Sequence, residues 1–170
     1  MTQHSSDHPD ADGHAFRRAL GMFATGITVV TALSEDGTPV GLTVNSFNSV
    51  SLHPPLVVWS LSNHVGIRHV MERCSHYAVN VLAHDQEVIS RRFAGKLSER
   101  FVGLEWHKGL TGVPLLSGCC AHFEVRNTMQ REGGDHIVFI GEVERFERFD
   151  RDPLIYFRGR YRQLAEGGDR

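Results

Sequence analysis

Residues 27–45 read ITVVTAL, SEDGTP and VGLTVN in succession: two β-branched runs joined by a turn with Asp-Gly at its centre. Branched side chains suit a pleated strand. Asp-Gly between two such runs is a hairpin signal, and a hairpin makes its strands antiparallel neighbours. More strand-like segments follow: LVVWSLS (56–62), HYAVNVLA (76–83), GCCAHFEVRNTMQREGG (118–134), DHIVFIGEVERFERF (135–149) and PLIYFRGRYRQL (153–164). The continuous apolar run of LVVWSLS predicts a strand buried on both faces. A bend is expected at Gly141, and the last segment reads as a strand or hairpin. The total is about seven strands and three short helices, with no regular βαβ alternation. A Rossmann sheet is therefore not expected, and a mainly β, antiparallel barrel with a few short helices is.

The helices are placed at HAFRRALGMFA (14–24), VGIRHVMERC (65–74) and DQEVISRRFAG (85–95). The first carries Phe16, Ala19, Leu20 and Phe23 at helical spacing and is expected to end at Gly26. The third has Asp85 as its N-cap and Gly95 as its stop. KLSERFVGLEWHKGLTGVPLL (96–116) reads as an irregular excursion. Residues 1–14 are expected to be a disordered polar tail, 15–164 one domain, and 165–170 a polar C-terminal tail.

Composition narrows the function classes. The net charge of -2 gives no positive field for nucleic acid. No apolar run is long enough to span a bilayer, and the first residues lack the apolar region of a signal peptide. Three cysteines, Cys74, Cys119 and Cys120, without secretory features point to reduced thiols in the cytoplasm. There is no P-loop, no GxGxxG after a strand, no GxSxG elbow, and no HExxH or paired CxxC, so no metal site is expected.

What remains is GLTVNSFNSVSLHPP (41–55), whose middle is crowded with short hydrogen-bonding side chains, together with RRFAG (91–95), GGDH (133–136) and RGRY (158–161). Serines on a strand can simply face water, GGDH can be only a turn, and RRFAG only a helix end. Arginines can also pair with phosphates, and small residues let a planar ligand approach backbone N–H groups.

Taken together these segments resemble the short-chain flavin reductase family, the reductase components of two-component flavin-dependent monooxygenases, which fold as an FMN-binding split barrel. The resemblance rests on FRRALGMFATGITVVTA, DGTPVGLTVNSFNSVSLHPPLVVWSLS, YAVNVLA, FAG, GDHIVFIGEV and PLIYFRGRY, in that order along residues 15–164. It implies a homodimeric NAD(P)H:flavin oxidoreductase that hands reduced FMN or FAD to a separate oxygenase. NADH or NADPH would be the co-substrate. Flavin would lie along the stretch matching 41–52, with Thr43, Asn45, Ser46 and Ser51, bordered by Ser60, Leu61 and Ser62. Arg92 and Phe93 would lie at the phosphate end, His136 by the flavin face where nicotinamide stacks, and Arg160 and Tyr161 on the pyridine nucleotide.

Other readings stay in view. One is a non-catalytic flavin- or haem-binding split-barrel module. Another is a self-contained oxidase of the pyridoxamine-phosphate-oxidase type. A third is a lipocalin-like carrier, which would need neither GDH nor RGRY.

Overall fold

The computed structural model describes residues 13–96 and 99–164. The expected tails therefore lie almost wholly outside the described residues. The first helix, α1 (His14–Leu20), starts one residue before the expected domain boundary. Among the described residues, twelve strands and three helices follow the β-rich pattern. The main sheet has seven strands: β2 (Thr28–Leu33), β3 (Pro39–Val44), β4 (Asn48–Leu52), β5 (Pro55–Ser62), β6 (His76–Val81), β9 (Ala121–Gly133) and β10 (His136–Arg148). Their order is β3-β2-β6-β9-β10-β5-β4, and every neighbouring pair is antiparallel.

The first hairpin is present as expected, its turn set by Gly37 in the left-handed region (φ 81°) and by Ser34 and Asp36. The expected bend at Gly141 is a register shift between Ile140 and Gly141 in the β9–β10 ladder. A Cβ at Gly141 would collide with Val125 and the Tyr77 hydroxyl, so the strand can turn over the core only with glycine there.

The sheet curls on itself without a closing ladder. Ser46 lies where the next partner of Ser60 would fall in the β4–β5 register. Its hydroxyl takes the Ser60 N–H at 3.0 Å and donates to the Ser60 carbonyl at 3.2 Å. A side chain thus replaces a backbone rung at the split of the barrel. Inside, Val30, Leu42, Val57, Trp59, Tyr77, Val79, Val125 and Phe139 form the main core, with Trp59 stacked on Phe139 at 4.5 Å.

A second core lies under α3 (Glu87–Ala94), where Phe93 packs with Ile27, Val29, Leu82 and Leu154. Gly41 of β3 faces the Phe93 ring; a Cβ there would sit 2.9 Å from the ring edge. Its missing side chain lets α3 lie directly on β3. Arg100 locks the contact by donating to the carbonyls of Gly41 (2.5 Å) and Gly95 (2.7 Å). The small sheet of β1 (Thr25–Gly26), β11 (Ile155–Phe157) and β12 (Arg160–Arg162) flanks this core.

Several expectations change. α1 stops at Leu20 and is capped at Gly21, not Gly26, because Gly26 is in β1 and pairs with Ile155. α3 has Gln86 at its N-cap, since the Asp85 carboxylate is taken by Arg151 at 2.6 Å. The excursion at 96–116 contains a short hairpin, β7 (Trp106–Lys108) with β8 (Pro114–Leu116). α2 is only Arg68–Arg73. β5 is buried on one face rather than two: Val57, Trp59 and Leu61 point inward, while Val58, Ser60 and Ser62 are only half-covered. No helix among the described residues is long and apolar enough to cross a membrane.

Candidate functional site

The half-covered face of β5 is where the sequence-predicted residues gather. In an antiparallel ladder, directly opposed residues share a face. His136 opposes Ser62, and Val138 opposes Ser60. Ile137 and Phe139, the alternate residues of β10, are buried with Leu61 and Trp59. Ser60, Ser62 and His136 therefore line one open surface, closed at its edge by Ser46.

His136 opens β10 at the barrel rim. Its Nδ1 is 2.7 Å from an Asp135 carboxylate oxygen. The hydrogen bond from His136 and its charge hold the Asp135 carboxyl below the usual carboxylate range. With Nδ1 so engaged, Nε2 is left without a partner among the described residues. Asn63 binds this corner through its N–H to the Asp135 carbonyl (2.9 Å) and its amide to the Gly134 carbonyl (3.3 Å). The Asn63 amide oxygen is buried with no donor.

A second group of residues meets at α3. The Thr43 hydroxyl donates to the Ser90 carbonyl at 2.7 Å, and Ser90 Oγ is 2.8 Å from the Tyr161 hydroxyl. The Arg91 guanidinium lies over the Tyr161 ring, 4.9 Å from its centroid. Glu87, Arg91, Tyr156, Gly159, Arg160 and Tyr161 line a groove of about 360 Å³. A larger cleft of about 690 Å³ lies between the β2–β3 turn and α2, and none of the predicted residues lines it. Size alone would favour that cleft, but the convergence of oriented polar groups favours the β5–β10 face and the α3 groove.

Not every predicted residue presents its side chain. Leu61 and Phe93 are both about 1% exposed and packed in the two cores, so any part they play is through backbone or by holding neighbours. Arg92 donates to the Val102 carbonyl at 2.9 Å, Ser51 accepts from the His53 N–H at 3.2 Å, and Asn45 is exposed beside Ser46. Ser90 was not singled out in the sequence, and Arg91 and Asp135 entered it only within RRFAG and GGDH. Ser90 is three residues before Phe93 on the same helix face, so a serine on an otherwise apolar face was the available signal. Cys74 and Cys119 are packing groups: burial pushes Cys74 up to about 11 and Cys119 up to about 12.

These residues fit a flavin. Its polar edge, polyol and phosphate need short donors, acceptors and a cation; Ser60 and Ser62 line the open face, Asn45 is exposed beside Ser46 at its edge, and α3 carries Arg92. The flavin reductase-like domain model matches residues 20–165. The chain belongs to the flavin reductase-like family. It is 43% identical over 154 residues to the FMN reductase (NADH) SmoA of Agrobacterium fabrum, covering 91% of this chain and 87% of that one. It is 36% identical to HsaB of Rhodococcus jostii, the reductase subunit of a flavin-dependent monooxygenase, covering 88% of this chain and 77% of that one. Two other relatives are matched over only about half their length: a probable flavin reductase of Rhizobium meliloti (48%) and the trigonelline monooxygenase reductase component of Acinetobacter baylyi (47%). Among solved structures, the Streptomyces globisporus NADH:FAD oxidoreductase SgcE6, in complex with NAD and FAD fragments, superposes with a TM-score of 0.89 at 36% identity. That match covers 96% of this chain and 100% of the other.

Proposed function

We propose that this protein is an NADH-dependent flavin reductase that supplies reduced flavin to a separate oxygenase. The observation that carries the reading is the open face shared by Ser60, Ser62 and His136; a second group, Thr43 and Tyr161, is joined through Ser90 on α3. Relatives named as NADH-using reductases and as reductase subunits of two-component monooxygenases support it.

Thr43, Asn45, Ser46, Ser51, Ser60 and Ser62 hold the flavin, with Arg92 at its phosphate and the backbone of Leu61 and Phe93 alongside. Bound flavin would supply a two-electron acceptor for the hydride of the dihydronicotinamide. The protein's work is alignment, which turns a bimolecular encounter into an oriented one. Asp135 fixes the His136 ring so that Nε2 faces the open side, where it orients the nicotinamide as a hydrogen-bonding group. Arg160 and Tyr161 hold the rest of the pyridine nucleotide.

The working form is a homodimer in the cytoplasm. α1 has no buried residue, and Phe16, Leu20 and Phe23 are 53%, 56% and 72% exposed. A second copy would cover such a face and close the open side of the site. Light scattering giving a dimer supports this; a monomer reducing flavin at full rate overturns it.

The activity is tested by NADH consumption with and without free FMN or FAD. A reductase component consumes NADH only when flavin is added. A storage module shows no turnover in either case, and an oxidase that keeps its flavin turns over without the addition.

A further inference from the structure

We propose that Ser90 is a positioning residue that fixes the Tyr161 ring for pyridine-nucleotide binding, from the same helix turn that anchors Thr43 on the flavin side. The inference rests on the reading that Arg160 and Tyr161 hold the nucleotide. Ser90 is fully buried, yet its hydroxyl is spent on Tyr161 at 2.8 Å and its carbonyl on Thr43 at 2.7 Å. Buried polar groups are retained where their partners satisfy them, and here the partners come from β12 and β3, 71 and 47 residues away. One residue of α3 therefore joins both expected ligand seats.

Tyr161 is held on three sides. Its hydroxyl meets Ser90, one ring face is covered by Arg91 at 4.9 Å, and Tyr156 packs edge-on at 5.4 Å. Arg91 is itself fixed by Glu87 at 2.6 Å. With its hydroxyl directed inward, Tyr161 offers a ligand its ring rather than a hydrogen bond. The neighbouring Arg160 side chain has no partner among the described residues and borders the same groove. A rigid aromatic ring beside an unpaired guanidinium suits a nucleotide, whose phosphate and flat rings need those two groups.

The two roles of Ser90 separate by substitution. Ser90→Ala removes the hydroxyl and keeps the carbonyl, so the Thr43 bond survives. Titration of FMN-loaded protein with NAD+, which cannot reduce the flavin, is expected to show about five-fold weaker binding, the loss of one hydrogen bond. KM for NADH should rise similarly with kcat little changed, and FMN affinity should stay within about two-fold. Tyr161→Phe removes the same bond without touching the buried helix and should reproduce the effect, and the double variant should be no worse than either. Unchanged NAD+ binding in both Ser90→Ala and Tyr161→Phe, with Tyr161→Ala weakened, overturns the role of Ser90. Unchanged binding in Tyr161→Ala overturns the nucleotide reading of Tyr161. Equal weakening of FMN and NAD+ in Tyr161→Phe makes the bond purely structural and also overturns the proposal.

Discussion

Ser62 and His136 stand directly opposite each other across the β5–β10 ladder, so their side chains rise from one face of the barrel. This places the one histidine of the GGDH turn above a strand edge lined with serines. His136 is also held from behind by Asp135 at 2.7 Å.

The pairing predicts a split phenotype for His136. His136→Ala should slow flavin reduction by NADH and raise the NADH requirement, with flavin affinity nearly unchanged. His136→Asn keeps a hydrogen-bonding group and should retain part of the rate. Asp135→Asn leaves the ring present but loosely aimed and should fall between wild type and His136→Ala. Anaerobic stopped-flow reduction checks all three. Unchanged reduction in His136→Ala, with only a lower melting temperature, would reduce His136 to a turn residue.

Arg92 spends one N–H on the Val102 carbonyl, and the rest of its guanidinium has no partner among the described residues. If it meets the flavin phosphate, Arg92→Ala should weaken FMN more than riboflavin, by about 1.5–3 kcal/mol, the worth of a charge-assisted hydrogen bond. Parallel fluorescence titrations of the two flavins measure the difference. Equal loss for both would leave Arg92 as a brace for the loop at Val102.

Stability should fall on the acid side because of His122. The ring is 2% exposed, with Nε2 2.8 Å from the Leu116 carbonyl and Nδ1 buried without a partner. Burial holds its pKa below the ordinary histidine value, outweighing the Leu116 hydrogen bond and the charges of Glu147 and Glu124, while His107 adds to the lowering. As pH drops through about 6.5 the unfolded chain takes up a proton that the folded chain resists, so the unfolded state binds more protons and stability is lost. His122→Gln can still donate to Leu116, and its melting temperature should decline less steeply below that pH. Equal declines in the two proteins would contradict this assignment.

Much of the fold was legible because hairpin chemistry is local. The Asp-Gly turn and the β11–β12 hairpin each sit where a few neighbouring residues demand them, and the bend at Gly141 is marked by the residue type itself. What stayed hidden depended on distant partners. Asp85 is drawn from the helix cap by Arg151, 66 residues on, while Gln86 bonds Ala83 and Ser117 instead. The β7–β8 hairpin has three residues per strand, too few for a period to show. LVVWSLS reads as buried on both faces because its composition is apolar, but whether anything covers the outer face is decided by the rest of the chain. Polar segments marked the serine-lined face and the GDH corner. Ser90 needed the three-dimensional contact between α3, β3 and β12.

Amide hydrogen exchange with and without FMN tests the location of the site most directly. Flavin on the β5–β10 face should slow exchange in residues 43–49, 58–64, 90–95 and 134–138. The larger cleft at 33–40 and 67–76 should be unchanged. Protection centred on that cleft, with none at 58–64 and 134–138, would contradict the account.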